Sequence, residues 1–186
     1  MSHDPNWDAL HFSVWKGYFL LNYQSNSSLE NCTLIGWKEW LVLPDLKIPA
    51  LKAKIDTGAR TSALHTFSLE EFTSQGQLMI RFGIHPFRKR SDVELFCEAP
   101  VVDQRLVKDS GGHAEMRYLI ETNVLLGTLL WPIKISLTNR DGMMFRMLLG
   151  RTALRGRFMV DPAKEYLTGK KLKLSYSNLK KRSPQI

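Results

Sequence analysis

Apolar and polar positions alternate along much of this chain. Between residues 77 and 85 the sequence places Leu78, Ile80, Phe82 and Ile84 at every second position, the period of a half-buried strand. Similar runs predict strands over 35–43, 49–56, 61–65, 93–102, 129–138, 143–149 and 158–161. Leu43-Pro44-Asp45 and Pro162 end two of them, and Asn139-Arg140-Asp141-Gly142 reads as a hairpin turn. Ser110-Gly111-Gly112-His113 is a turn between strand-like runs over 101–107 and 115–121. Ser68–Phe72 reads as a short helical turn or loop, Pro86–Ser91 as a solvated basic hairpin loop, and 151–155 as a short helix. Short strands at this spacing predict an all-β, barrel-like domain.

The pattern divides the chain. Residues 1–34 carry a weakly periodic aromatic run and then an Asn/Ser-rich stretch, and form an N-terminal extension. Residues 35–168 form the body. Residues 169–186 form a C-terminal tail that carries Lys170, Lys171, Lys173, Lys180, Lys181 and Arg182 with no acid. The net charge of +8 invites a nucleic-acid reading, but six of those charges belong to the tail. The basicity therefore describes a solvated end more than a binding face, and nucleic acid is not the expected partner. No run of 18 apolar residues exists, so no spanning helix is expected. Cys32 and Cys97 do not form a close sequence pair and read as thiols of a reducing, cytoplasmic compartment.

One stretch carries chemistry. The strand over 49–56 delivers a carboxylate into Lys54-Ile55-Asp56-Thr57-Gly58-Ala59-Arg60, and Met147-Leu148-Leu149-Gly150-Arg151 answers it downstream. An isolated Asp-Thr-Gly is an ordinary turn. Preceded by an apolar strand and matched by an apolar-apolar-Gly-Arg run, it resembles a retropepsin half-site, the dimeric aspartic peptidase design. That chemistry needs two carboxylates sharing one proton, one acting as general base toward water and the other polarising the carbonyl. Like charges about 3 Å apart resist joint ionisation, as is established for aspartic peptidases. This chain has no second Asp-Thr-Gly or Asp-Ser-Gly, so two copies must each contribute Asp56 across a two-fold axis.

The remaining residues follow from that reading. Gly58 is expected to permit close backbone approach and an unusual turn, and Ala59 to suit a crowded cleft base. The resemblance implies that the Thr57 hydroxyl bonds across the dimer axis. Leu149 and Gly150 support the loop from behind, and Arg151 ties the helix to the sheet. Arg60 pairs with an acid that holds it or orients a substrate carboxylate. Retropepsins carry a glycine-tipped flap between their two motifs. Gly111, Gly112 and His113, with Arg117, are the flap candidates; the alternative is an ordinary hairpin elsewhere on the sheet.

Further runs resemble one bacterial family labelled ATP-dependent zinc proteases. They are Ile35–Trp40, Ile55–His65, Cys97–Asp103, Ser110–His113, Leu137–Arg140, Leu148–Leu154 and Val160–Pro162. The resemblance implies a retropepsin-like fold and association with ATP-grasp ligases that add glutamate to proteins or peptides. The label itself finds no support in the residues. His3, His11, His65, His85 and His113 include no pair at helical i, i+4 spacing. Gly169-Lys170-Lys171 lacks the upstream glycine and the hydroxyl of a phosphate loop. No metal or cofactor is expected.

The fold expected is an all-β, retropepsin-like closed barrel half with one short C-terminal helix and an active site at a homodimer interface. The function expected is a homodimeric aspartic endopeptidase acting on peptide or protein substrates, glutamyl-modified chains among them. The alternative is a catalytically silent peptide-binding or regulatory module beside an ATP-grasp glutamate ligase.

Overall fold

A computed structural model describes residues 32–87, 91–108, 114–139, 144–169 and 176. The chain divides into two compact units, Met1–Cys32 and Thr33–Ile186. Only Cys32 is described in the first, and the rest concerns the second.

Eleven strands and one helical turn follow one another among the described residues. They are β1 (Thr33–Gly36), β2 (Lys38–Leu43), β3 (Ile48–Asp56), β4 (Ser62–His65), β5 (Ser68–Ser74), β6 (Gln77–Ile84), β7 (Leu95–Lys108), β8 (Ala114–Leu126), β9 (Leu129–Thr138), β10 (Met147–Gly150), α1 (Arg151–Leu154) and β11 (Phe158–Asp161). Six strands close into a barrel in the order β2-β3-β10-β4-β9-β8, and the ring shuts where Val42 of β2 meets Leu125 of β8. Closure leaves none of these six strands as the edge of an open sheet. From β8 the sheet runs outward through β7 and β6 to β5. β1 and β11 form a separate parallel pair.

Alternation decides which side of each strand faces the barrel core. Ala53 and Ile55 of β3, Leu64 of β4, Ile120 of β8, Ile133 and Ile135 of β9, and Met147 and Leu149 of β10 all fall in one buried cluster. Ala153 and Leu154 of α1 join it, so the helical turn is held by burial; four residues are too few to stand alone.

Three local expectations are corrected. Residues 35–43 are not one strand: Trp37 breaks it, and β1 pairs with β11 while β2 pairs with β3. Ser68–Phe72 is not helical. It belongs to β5, an exposed strand paired with β6 through a Gln75-Gly76 turn in which both residues have positive φ (51° and 77°), the geometry of a tight hairpin. The runs over 93–102 and 101–107 are one strand, β7, with a register shift between Val101 and Asp103, as a β-bulge produces.

The segment after β11 packs back on β2. Trp37 N–H donates to the Lys164 carbonyl at 2.9 Å, and Tyr166 N–H donates to the Lys38 carbonyl at 2.9 Å. Tyr176, inside the stretch read from sequence as a solvated tail, is buried, and its hydroxyl donates to the Ala50 carbonyl at 2.7 Å. The basic residues around it lie outside the described residues.

Candidate active site

Asp56 is the last residue of β3. β10 lies parallel to β3 with Gly150 opposite Asp56, and antiparallel to β4 with Leu148 opposite Ala63. The loop from Asp56 to Ser62 therefore straddles the end of β10, which threads between the two strands that the loop connects. The two sequence motifs thus meet through a strand ladder.

The loop is fixed mostly by its own backbone. Asp56 Oδ1 accepts hydrogen bonds from the amides of Gly58 and Ala59, each at 3.1 Å. Arg151 N–H donates to the Ala59 carbonyl at 2.8 Å, and Thr152 N–H to the Arg60 carbonyl at 3.1 Å. The Thr152 hydroxyl reaches the Arg60 carbonyl as well, at 2.9 Å. Arg151 Nη1 donates to the Thr57 carbonyl at 3.2 Å, so this side chain ties the helical turn to the aspartate loop, not to the sheet as expected. Ser62 Oγ accepts from Gly150 N–H at 3.1 Å, and the Ser62 carbonyl accepts from Ser136 Oγ at 3.1 Å.

The glycine that geometry requires here is Gly150. A Cβ on it would lie 2.6 Å from the Thr61 carbonyl carbon and 2.8 Å from the Ser62 nitrogen. Gly58 does not use the left-handed region, and a Cβ there would meet only Asp56 Oδ1, at an ordinary 3.4 Å. The unusual turn expected at Gly58 is absent. Thr57 and Gly58 are exposed, Ala59 is half-buried, and Leu149 is fully buried behind the loop. Asp56 is half-buried, and its Oδ2 accepts no hydrogen bond from a described residue.

Strand register extends the site across the sheet. Asp56 shares its side of the sheet with Lys54, Leu148 and Ala63, then with Ser136 and Thr138 of β9 and Arg117, Leu119 and Glu121 of β8. On β7, Asp103 stands opposite Leu119 and Arg105 opposite Arg117. An open pocket of about 380 Å³ lies on this face, lined by Arg60, Thr61, Arg105, Glu121, Lys134 and Thr152 among others. Arg105 donates to Asp103; that bond holds the Asp103 carboxyl below the usual carboxylate range, and Lys134 adds attraction. Arg60 is exposed and has no acid partner among the described residues.

The β7–β8 hairpin expected as a flap has both arms, paired down to Lys108 and Ala114. Its tip, with Gly111, Gly112 and His113, lies outside the described residues. Arg117 is not available as a loose contact: it is 8% exposed and its Nε donates to Glu115 Oε2 at 2.8 Å. Among the described residues no three His, Cys, Asp or Glu side chains group as a metal site. His85 stacks on Phe67 at 4.3 Å between ring centroids, and the buried Cys97 thiol donates to the Leu46 carbonyl. Sequence reasoning passed over Arg105 and Lys134; alternation within each strand separates faces, but only register shows which faces join.

An Asp-Thr-Gly loop straddling a Leu-Leu-Gly strand, on a closed barrel, fits a retropepsin-like fold. The chain belongs to the RimB-like family, described as retropepsin-like aspartic endopeptidase RimB, whose model matches residues 34–171. It is 40% identical over 150 residues to a probable alpha-L-glutamate ligase of Shewanella pealeana, covering 81% of this chain and 33% of that protein. A protein of the same name from Parasynechococcus marenigrum is 43% identical over 136 residues, 73% of this chain and 29% of its own length. The chain thus spans about a third of the length of these curated relatives. A crystal structure of a Legionella pneumophila protein of unknown function is similar too, with TM-score 0.62 and 31% identity over 73% of this chain and 98% of that one. No helix of the described residues is long and apolar enough to cross a membrane.

Proposed function

We propose that this protein is a homodimeric aspartic endopeptidase in which Asp56 from each of two copies activates water. One observation carries the reading: Asp56 Oδ1 is pinned by two backbone amides while Oδ2 accepts no hydrogen bond from a described residue, at the start of a loop whose Thr57 and Gly58 are exposed. A carboxyl group oriented on one oxygen and open on the other can bind a water and share a proton with a symmetry mate. The Thr57 hydroxyl, on the same exposed loop, bonds across the two-fold axis. The family description supports the reaction class.

The substrate is a peptide or protein, and glutamyl-modified chains are favoured. Similar proteins are named glutamate ligases, and the pocket beside the loop carries three cations. We place the protein in the cytoplasm, in association with a ligase system.

Asp56→Asn tests the reaction. Turnover of a glutamyl-peptide library should fall by at least ~10³-fold, the scale of losing an essential acid–base group, while the dimer measured by light scattering persists. Retained turnover would sink the proposal. The second reading, a silent binding module beside a ligase, is favoured by the relatives' name alone. It predicts saturable peptide binding with no hydrolysis by the unaltered protein between pH 3 and 8.

A further inference from the structure

We propose that one end of the barrel, made by β1, β11 and the β8–β9 turn, docks on an anionic lipid surface. Five large apolar side chains gather there. Leu34, Leu129, Leu130, Met159 and Leu167 are each between 38% and 59% exposed. They are nearly half of the eleven large apolar side chains left exposed among the described residues.

A circuit of contacts places the five at one end. Ile35 and Phe158 enter the buried cluster, so alternation turns Leu34 and Met159, paired across β1 and β11, to the outside. Glu39 Oε1 accepts from Gly36 N–H at 2.7 Å and from Leu167 N–H at 2.8 Å, which brings Leu167 beside the end of β1. The next residue, Thr168, abuts the β8–β9 turn: a Cβ on Gly127 would lie 3.4 Å from its Cγ2. Leu129 and Leu130 leave that turn as the start of β9. Trp131, next to them, packs on Phe158 with ring centroids 5.3 Å apart, and Met159 follows Phe158.

Charge decides the occupant. Residues 155–173 carry six lysines and arginines against two acids, Asp161 and Glu165. Both acids are already paired, with Lys164 and Lys38. Arg155, Arg157 and Lys164 are exposed, and Lys170 and Lys171 follow Thr168 within three residues. Exposed aliphatic side chains beside unneutralised cations suit an anionic bilayer, where the first enter the acyl boundary and the second meet the headgroups. A second copy fits less well, because a two-fold contact sets the patch against itself and its excess cations against their own kind. Nucleic acid would use the cations but leave the leucines in water, since aliphatic groups give bases no stacking plane.

The test is co-sedimentation of the full-length protein with vesicles at low ionic strength. Vesicles of phosphatidylglycerol and phosphatidylcholine in equal parts should bind it at least about tenfold more strongly than phosphatidylcholine alone, and added salt should weaken the binding. Leu129→Ser/Leu130→Ser should lower binding to the anionic vesicles by about tenfold. Both positions are exposed, so its Tm should hold. Lys170→Gln/Lys171→Gln should lower binding by a similar factor and reduce the salt dependence, and it decides the question should the leucine variant fold poorly. Leu106→Ser, at a comparably exposed position on the β7–β8 hairpin, should change nothing. Absence of the protein from the anionic vesicle pellet overturns the proposal. So does binding that ignores the leucine pair, which would be an effect of charge alone. A uridine oligonucleotide held more tightly than the vesicles, through the lysines and not the leucines, assigns this end to nucleic acid. Dissociation of a lipid-free dimer by Leu129→Ser/Leu130→Ser, read by light scattering, assigns it to a second copy. Either result overturns the lipid assignment.

Discussion

Two carboxyl groups stand on neighbouring strands of the barrel and are treated in opposite ways. Glu39 on β2 is fully buried and accepts four hydrogen bonds: Gly36 N–H at 2.7 Å, Leu167 N–H at 2.8 Å, Thr168 N–H at 3.2 Å and the Thr168 hydroxyl at 2.7 Å. Asp56 on β3 accepts two, both on Oδ1, and its Oδ2 accepts none from the described residues. Glu39 clasps the segment after β11 to the barrel, and every lone-pair direction it offers is used by structure. Asp56 is oriented by structure and left unfinished. Saturation, more than the mere presence of an acid, separates a carboxyl group that holds a fold from one poised for chemistry.

If that contrast is right, removing Glu39 has the largest effect on folding. Glu39→Ala strands three backbone amides and a hydroxyl that the barrel has already taken from water. We expect a loss on the order of 4 kcal/mol, measured by urea denaturation. A loss below about 1 kcal/mol would mean that water replaces the carboxyl group and that the clasp is incidental.

Gly150→Ala comes next. The added Cβ meets backbone of Thr61 and Ser62, not a flexible side chain, so the aspartate loop must move away from β10. We expect about 3 kcal/mol of destabilisation and a loss of turnover larger than stability explains. A crystal structure of Gly150→Ala with an unmoved loop and full turnover would show that the threaded strand does not fix Asp56.

Much of this arrangement was legible beforehand. Ile55, Leu148 and Leu149 are apolar for strand burial, and Asp56 and Gly150 stand where those runs end, so both motifs declare themselves locally. What stayed hidden depends on partners far along the chain. Glu39, between Lys38 and Trp40, reads like any solvent-facing strand position until Leu167 and Thr168 fold back onto it. Ser68–Phe72 suggested a helical turn because Leu69 and Phe72 are three apart, with acids between. In the fold Glu70 serves cross-strand pairing, with Arg81 Nη1 donating to its Oε2 at 3.2 Å, and Glu71 accepts from the Tyr118 hydroxyl of β8. The tight glycine was misplaced for the same reason. Gly58 carries the familiar motif, whereas the close approach occurs at Gly150, where the β3–β4 loop crosses over β10.

Availability against burial also predicts a pH signature. Burial pushes the Cys97 thiol up to about 11, against about 8.5 for an unfolded thiol. The unfolded chain therefore loses this proton first as pH rises. The contribution is fully present below about pH 8.5 and is lost progressively up to about 11. Denaturation midpoints should fall across that window, and Cys97→Ala should flatten the fall even if it lowers the midpoint everywhere. An unchanged slope in Cys97→Ala would assign the fall to other groups. Iodoacetamide at pH 8 should label Cys97 only in the unfolded chain, since the reactive form is the thiolate.

The smallest stability effect is expected at the residue with the largest effect on turnover. In Asp56→Asn the remaining carbonyl oxygen can still accept from Gly58 N–H and Ala59 N–H. The new amide nitrogen takes the place of Oδ2, which no donor of the described residues approaches, so no clash of donors is created. The change in unfolding free energy should stay within about 0.5 kcal/mol. The same exchange at Glu39, Glu39→Gln, aims an amide nitrogen at amides already pointing inward and should cost roughly 2 kcal/mol or more. The pair of substitutions is therefore a direct measure of the contrast. If Asp56→Asn and Glu39→Gln destabilise equally, Asp56 is a structural carboxyl group like its neighbour, and its open oxygen has no bearing on function.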